Sequence, residues 1–149
     1  MKKTNLLLLS IIAVLGIAAC TTATSESPAS VNESGVGQIV PVDFGGQYID
    51  ITPQELKTML EEKDFFFVNV HIPYEGELPE TDAFIPFDEL EAHLSEFPQE
   101  EDAKIVLYCR SGSMSATVAR EMVNRGFSNI YNLDGGFRAW SEAGYEFIQ

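Results

Sequence analysis

The sequence is poor in cysteine and in basic residues, and it has no apolar run long enough to cross a membrane comfortably. Its 149 residues include two cysteines, too few for the disulfide framework of a small secreted domain. Nine Lys and Arg face 23 Asp and Glu, so the net charge is −14. This charge excludes a protein that binds nucleic acid through a basic face, and it argues against attraction to anionic lipid by charge alone. The length fits one domain with a tail.

The beginning of the chain carries the pattern of an export signal. A basic start at Lys2 and Lys3 precedes an apolar stretch of about 14 residues, shorter than the roughly 20 that span a bilayer. The tetrapeptide Ile17-Ala18-Ala19-Cys20 resembles the lipobox of bacterial lipoproteins. The resemblance implies cleavage before Cys20 and acylation of its sulfur and amino group, which would anchor the chain in the bacterial cell envelope, facing outside the cytoplasm. The alternative is a plain secretory peptide in which Cys20 occurs by chance.

Three segments are predicted from the change in composition along the chain. Residues 1–19 are the signal peptide, residues 20–46 are the lipidated cysteine with a flexible linker, and residues 47–149 are the folded domain. The linker is rich in Ser, Thr, Ala, Gly and Glu and shows no hydrophobic period, so no secondary structure is assigned to it. Acylation of Cys20 would leave Cys109 as the one free thiol of the mature chain.

Strand patterns and helix patterns alternate along the domain. Short apolar runs predict strands over residues 48–51, 65–70, 83–85, 105–108 and 129–131. Helices are predicted from a capping box at Thr52 and Glu55 to residue 63, and over residues 87–97, 113–125 and 136–143. This alternation predicts an α/β fold, a single domain whose parallel sheet is flanked by helices on both faces.

A cysteine stands where a buried strand ends and a helix begins. Cys109 directly follows the apolar run 105–108, and the predicted helix starts four residues later, at Ser113. In parallel α/β sheets, ligands bind beyond the carboxyl ends of the strands, where loop amides and the first helix amides form a cradle for anions. Such a cradle favours the thiolate over the thiol, so Cys109 is a candidate nucleophile. The alternative is that Cys109 fills a buried apolar space.

The residues after Cys109 suit an anion-binding loop. Gly112 tolerates the left-handed backbone that closes such a loop, and Arg110 adds a positive charge. The hydroxyl groups of Ser111, Ser113 and Ser115 add hydrogen-bond donors. The predicted substrate-binding residues are Arg110, Ser111, Gly112, Ser113 and Met114. No metal ligands are predicted.

Two motifs resemble those of the rhodanese family of sulfurtransferases. The stretch Tyr108-Cys109-Arg110-Ser111-Gly112-Ser113-Met114-Ser115-Ala116 is similar to the active-site loop of that family. The stretch Leu133-Asp134-Gly135-Gly136-Phe137-Arg138-Ala139-Trp140 is similar to the motif that closes its domain. The run Phe67-Val68-Asn69-Val70 and the pair Ile85-Pro86 resemble its earlier strands. The resemblance covers residues 47–149 and implies a single rhodanese-like domain.

The family resemblance implies chemistry through a persulfide of Cys109. The thiolate would take sulfane sulfur from thiosulfate or a persulfide and pass it to cyanide, a small thiol or a protein thiol, with no metal or organic cofactor. The expected partners are these small molecules and, through the lipid anchor, a membrane. Nucleic acid is not among them, and the chain is expected to be a monomer. The alternative is a rhodanese-like module that binds a partner or an oxyanion without turnover.

Three positions depart from the family pattern. Asn69-Val70-His71 replaces the Asp-Val-Arg of many rhodanese domains, so an acid and a base are missing together, and His71 is not expected to be a catalytic base. Met114 stands where the family often has a basic residue, which argues against a preference for the dianion thiosulfate. Related phosphatases have a cysteine, five residues and then an arginine. Ser115 stands in place of that arginine, so phosphate-ester hydrolysis is not expected.

Overall fold

Residues 35–149 are described by the computed structural model, and the predicted signal peptide and Cys20 lie outside this part of the chain. The strands are β1 Gln38–Pro41, β2 Gln47–Ile51, β3 Phe66–Asn69, β4 Ala83–Phe84, β5 Ile105–Tyr108 and β6 Ile130–Leu133. The helices are α1 Pro53–Glu61, α2 Leu90–His93, α3 Ser113–Asn124 and α4 Gly136–Glu142, with a 3-10 turn at Leu94–Glu96. None of the helices within this range is long and apolar enough to cross a bilayer.

A mostly parallel sheet forms the centre of the molecule. The strand order is β1-β2-β6-β5-β3-β4, with β1 antiparallel to β2 and every other neighbouring pair parallel. All residues of β5 are buried, because this strand lies between β6 and β3 and is covered on both faces. The carboxyl end of β5 therefore opens at the middle of one sheet edge, where α/β folds place their ligand sites.

Helices cover both faces of the sheet, which confirms the predicted α/β architecture. Buried apolar side chains of α2 and α3 pack against one face, and those of α1 and α4 pack against the other. Side chains alternate across a strand, so neighbouring residues at the end of β5 belong to different faces. Tyr108 packs on the α1–α4 side, and Cys109 packs on the α2–α3 side.

The predicted start of α1 is confirmed in detail. Thr52 caps the helix with extended backbone, and its hydroxyl oxygen accepts a hydrogen bond from the Glu55 amide at 3.2 Å. The Glu55 carboxylate accepts in return from the Thr52 amide at 2.7 Å, which completes the capping box. Leu56 and Leu60 are buried on one side of this helix, so the same short segment both begins the helix and attaches it to the sheet.

The structure corrects the predicted linker over its last part. β1 lies inside residues 20–46, where no secondary structure was assigned, and it pairs with β2 as an antiparallel hairpin. Gly45 and Gly46 have positive φ values of 105° and 81°, which lets the chain turn back between the two strands. The sequence of β1 predicts a strand only weakly. The strand forms because its backbone pairs with β2 at the edge of the sheet.

The structure also corrects the helix predicted over residues 87–97. Helical hydrogen bonding there is limited to α2 and the 3-10 turn that follows it. The Phe87 amide donates to the Val70 carbonyl at 3.1 Å, which holds the beginning of the segment against the sheet. At the other end, Pro98 favours extended backbone at Phe97. Leu90 and Phe97 are buried, so the apolar pattern of residues 87–97 reflects the burial of these side chains and not a continuous helix.

Candidate active site

Cys109 lies at the carboxyl end of β5 and is almost fully buried. Its exposed fraction is 1%, and it belongs to the apolar cluster between the sheet and α3. The strand before it is fixed on both sides by parallel pairing with β3 and β6. The thiol is therefore held on a rigid element, directly before the loop that leads into α3.

The loop after Cys109 closes through a glycine. Gly112 is buried, has a φ of 87° and forms the N-cap of α3. A Cβ atom there would lie 3.1 Å from the Gly135 nitrogen and 3.3 Å from the Leu133 oxygen. Both the left-handed backbone and the close approach of the neighbouring loop therefore require glycine, as the sequence predicted for loop closure.

Unpaired amides surround the end of this loop. Within residues 35–149, the amides of residues 110–115 donate no hydrogen bond, and the first bond of α3 runs from the Ala116 amide to the Gly112 oxygen at 2.9 Å. Free amides of this kind, together with the positive end of a 12-residue helix, stabilise negative charge. A run of free donors next to a buried thiol suits a charged sulfur species on Cys109.

Ser115 brings a hydroxyl group to the cysteine. Its side chain is fully buried, and the Ser115 Oγ lies 3.5 Å from the Cys109 Sγ and 3.1 Å from the Gly112 carbonyl oxygen. The single hydroxyl proton can point to either acceptor, so it can turn to the sulfur when the sulfur becomes negative. The sequence named this hydroxyl as a donor but did not place it at the thiol, because that placement depends on how the first turn of α3 packs.

The other predicted loop residues take different positions. Ser111 and Ser113 are exposed at the rim, with their hydroxyl oxygens 3.2 Å apart. Met114 is half-buried and packs against the apolar cluster that contains Cys109. Arg110 is exposed and turns toward the loop after β3, where its Nη1 lies 3.2 Å from Glu75 Oε1. The loop thus presents one positive side chain, and that side chain already has a carboxylate partner.

The N-terminus of α4 supports the cysteine loop from behind. The Phe137 amide donates to the Cys109 carbonyl at 2.9 Å, and the Arg138 amide donates to the Arg110 carbonyl at 3.1 Å. A Cβ atom on Gly136 would lie 2.1 Å from the Cys109 oxygen, so no larger residue fits there without moving the loop. The two motifs that the sequence singled out therefore act together, one carrying the thiol and the other holding its backbone. Trp140, in the same helix, is buried in the core.

The loop after β3 is fixed by two buried polar side chains. Asn69 donates from Nδ2 to the Gly76 carbonyl and accepts at Oδ1 from the His71 amide, each at 3.0 Å. The Tyr108 hydroxyl accepts from the Leu78 amide at 3.0 Å, and burial raises the pKa of this hydroxyl. The departure Asn69 from the family pattern thus has a structural role, because it replaces a charge with an amide that binds the loop backbone.

His71 is buried beside this loop and forms no hydrogen bond with Cys109 within the described residues. Its exposed fraction is 5%, and neither ring nitrogen has a hydrogen-bond partner within residues 35–149. Its Nε2 lies 3.4 Å from Glu75 Oε2, and its ring meets the edge of Phe137 at a centroid distance of 5.3 Å. His93 lies on α2, where a hydrogen bond with Glu96 raises its pKa. Within residues 35–149, neither histidine forms a hydrogen bond with the thiol.

A groove of about 600 Å³ opens beside the cysteine loop. Phe137 and Phe147 line it and stack on each other at 4.6 Å. Its charged lining residues form two ion pairs, Arg110 with Glu75 at 3.2 Å and Arg138 with Glu142 at 3.8 Å. Cys109 packs on the other side of the sheet and does not line the groove. The described lining of the groove contains no cysteine, so the candidate nucleophile Cys109 belongs to the loop and not to the groove.

Comparison with known proteins relates the chain to one domain family. The family model described as the rhodanese-like domain matches residues 52–143, a range that contains both the cysteine loop and α4. A sulfurtransferase of Allochromatium vinosum is 28% identical over 93 residues, which are 60% of this chain and 84% of that protein. A tRNA uridine(34) hydroxylase of Chlamydia felis is 29% identical over 110 residues, or 68% of this chain. The chain spans 34% of the hydroxylase's length.

A solved structure shares the fold. The crystal structure of a rhodanese-like domain protein from Staphylococcus aureus aligns with a TM-score of 0.56 and 30% sequence identity. The alignment covers 67% of this chain and 98% of that protein. The shared part is therefore nearly all of the staphylococcal chain and about two thirds of this one.

Proposed function

Because the chain belongs to the rhodanese-like family of sulfurtransferases, we propose that it transfers sulfane sulfur through a persulfide on Cys109. The observation that carries the proposal is the surroundings of this thiol. Cys109 is buried at the end of β5, the Ser115 hydroxyl lies 3.5 Å from its sulfur, and the amides of residues 110–115 are unpaired within the described chain. Such a set of donors stabilises an anionic sulfur without any charged side chain.

The first half of the reaction loads the enzyme. The Cys109 thiolate attacks the outer sulfur of the donor, the new S–S bond forms, and the bond between the donor's outer and inner atoms breaks. With thiosulfate, sulfite leaves with the electron pair of the broken bond. With a persulfide, the parent thiolate leaves. The amides of the loop and the Ser115 hydroxyl then bind the negative outer sulfur of the Cys109 persulfide.

The second half of the reaction unloads the enzyme. An acceptor thiolate or cyanide attacks the outer sulfur of the persulfide, and the Cys109 sulfur leaves as the thiolate. The products are a new persulfide or thiocyanate. A small thiol, a protein thiol and cyanide all fit this chemistry, and no metal or organic cofactor takes part in it.

Mass spectrometry tests the proposal directly. Incubation of the protein with thiosulfate or with the persulfide of a small thiol should add about 32 Da, and peptide mapping should place the addition on Cys109. Excess cyanide should remove the added mass and release an equal amount of thiocyanate. The Cys109→Ser variant is the control and should gain nothing. A wild-type thiol that reacts with iodoacetamide but gains no sulfur from either donor would refute the proposal.

The near-complete burial of Cys109 favours a second candidate, a rhodanese-like module that binds a partner or an oxyanion without turnover. The exposed fraction of 1% leaves a narrow approach to the sulfur. In that case, thiosulfate or sulfate should protect Cys109 from alkylation, and the persulfide should never form. The same mass measurement therefore separates the two candidates.

We further propose that the mature chain is held in the bacterial cell envelope by a lipid on Cys20. The support is the sequence Ile17-Ala18-Ala19-Cys20 after the basic and apolar segments, and these residues lie outside the described part of the structure. Wild-type protein should partition into the detergent phase of a phase separation, and the Cys20→Ser variant should lose lipid labelling. Recovery of the wild-type protein in the aqueous phase would contradict the anchor.

A further inference from the structure

Arg110 is the positive side chain of the cysteine loop, and its charge is already compensated. The guanidinium Nη1 lies 3.2 Å from Glu75 Oε1, and the arginine side chain is 55% exposed. An exposed arginine next to a nucleophile would ordinarily attract anions to the site. The Glu75 carboxylate opposes that attraction, because an approaching anion meets the negative partner together with the positive group.

A buried histidine lies beneath Glu75. The second carboxylate oxygen of Glu75, Oε2, lies 3.4 Å from the Nε2 of His71 without forming a hydrogen bond, since neither ring nitrogen has a hydrogen-bond partner within residues 35–149. The backbone on both sides is held, since Asn69 binds the His71 amide and the Gly76 carbonyl. The Glu75 side chain is 37% exposed, and its carboxylate lies between Arg110 and His71.

We propose that Glu75 is a specificity-determining residue that turns the site away from dianionic donors and toward less charged persulfides. This inference rests on the proposed sulfur-transfer function and deepens it. The half-buried Met114 acts in the same direction, because it supplies no charge at the other end of the loop. A thiosulfate dianion meets twice the repulsion from Glu75 that a singly charged persulfide meets, and the net charge of −14 adds to it at long range.

His71 is the positioning residue in this arrangement. Its ring packs on Phe137 at 5.3 Å, so its orientation is set by the core, and its Nε2 lies 3.4 Å from the Glu75 carboxylate. Loss of the ring nitrogen should loosen Glu75 and free Arg110 in part. The expected effect of changing His71 is therefore smaller than that of changing Glu75 and has the same sign.

The chain offers a matched control for the test. Glu142 lines the same groove and pairs with Arg138 at 3.8 Å, so Glu142→Gln changes the net charge by the same amount at nearly the same place. It leaves the Arg110 pair intact. A comparison of Glu75→Gln with Glu142→Gln therefore separates the release of Arg110 from a general reduction in negative charge.

The experiment measures kcat/KM for thiosulfate and for the persulfide of a small uncharged thiol, with cyanide as the common acceptor. Glu75→Gln should raise the thiosulfate value by roughly threefold to tenfold, mainly through KM, since an exposed ion pair is modest in strength. The value for the persulfide should stay within about twofold, and Glu142→Gln should change the donor ratio by less than about twofold. The gain should shrink as salt is added. His71→Phe, which keeps the ring on Phe137, should give a smaller gain for thiosulfate.

The outcomes distinguish this inference from the proposed function. Absence of sulfur transfer by the wild-type protein from both donors would refute the proposed function itself. Sulfur transfer by the wild-type protein with equal donor ratios in Glu75→Gln and Glu142→Gln would leave the function standing and overturn the role of Glu75. An equal loss with both donors in Glu75→Gln would show that Glu75 supports the loop structure, and it would overturn the inference as well.

Discussion

At the scale of single residues, Ser115 and Gly112 decide what surrounds the Cys109 sulfur. Gly112 lets the loop turn within its narrow space, and the Ser115 hydroxyl lies within reach of both the sulfur and the Gly112 carbonyl. Turning the Ser115 hydroxyl proton from the carbonyl to the sulfur costs little free energy, because one hydrogen-bond acceptor is exchanged for another when charge forms on the sulfur. In the proposed reaction, the persulfide would be stabilised by this neutral donor, while the Arg110 guanidinium is paired with Glu75.

The Ser115→Ala variant should transfer sulfur about tenfold more slowly, since a hydrogen bond to a charged group is worth about 1.5–3 kcal/mol and part of it is replaced by the amides. The rate of persulfide formation on Cys109, followed by mass, is the measurement. Ser113→Ala is the control, because the Ser113 hydroxyl is exposed at the rim and pairs with Ser111. Equal rates in the two variants would show that the Ser115 hydroxyl is not used.

At the scale of elements, Glu55 joins two parts of the fold, the start of α1 and the segment before β1. Its carboxylate accepts from the Thr52 amide at 2.7 Å in the capping box of α1 and from the Gly37 amide at 2.8 Å just before β1. Partial burial acts to raise the pKa of Glu55, but the hydrogen bonds from Thr52 and Gly37 outweigh it and lower the pKa. The ionised carboxylate therefore stabilises the folded state, and it attaches the edge strand to the helix.

The lowered pKa of Glu55 sets the direction in which the stability of the folded state changes with pH. The stabilisation is complete above the ordinary pKa of 4.5 and is lost as the pH falls through the lower pKa of the folded state. In Glu55→Gln, the side chain keeps one accepting oxygen where the carboxylate has two. This change should lower the free energy of unfolding by about 1 kcal/mol at pH 7. The difference from wild type should shrink in acid. Urea unfolding at pH 7 and pH 3.5 is the measurement, and Glu61→Gln, an exposed change in the same helix, should have no such effect.

At the scale of the whole molecule, the alternation of side chains at the end of β5 separates the Cys109 thiol from the groove that carries the charged side chains. Cys109 faces the α2–α3 side, and the groove with its two ion pairs lies on the side of α4. Arg110, the next residue along the chain, reaches from the cysteine loop to that groove. Charge on the groove side can therefore influence which donor approaches, while the sulfur itself stays among neutral donors.

Several features of the fold and of the site could be predicted from local patterns in the sequence. The capping box at Thr52, the buried strand before Cys109 and the glycine at position 112 each depend on neighbouring residues, and each was predicted correctly. The residues of the cysteine loop were also found together, because they are consecutive and a loop between a strand and a helix has few possible forms.

Contacts between distant parts of the chain could not be predicted from the sequence. β1 is a strand because β2 offers it a partner, and only four residues of the 87–97 segment are α-helical because the sheet and Pro98 hold its ends. The Glu75 and Arg110 pair joins residues 35 positions apart. No period or motif marks such a pair.

The sequence by itself determined the alternation of strands and helices, the burial of the core strands and the cysteine at the end of β5, because these follow from local periodicity and from the chemistry of adjacent residues. The tertiary structure decided which groups meet at that cysteine. It placed the Ser115 hydroxyl at the sulfur, turned Arg110 to Glu75 and buried His71 beneath that carboxylate. These outcomes depend on the packing of separate elements, since the direction of a side chain is settled by the neighbours it meets only after the chain has folded.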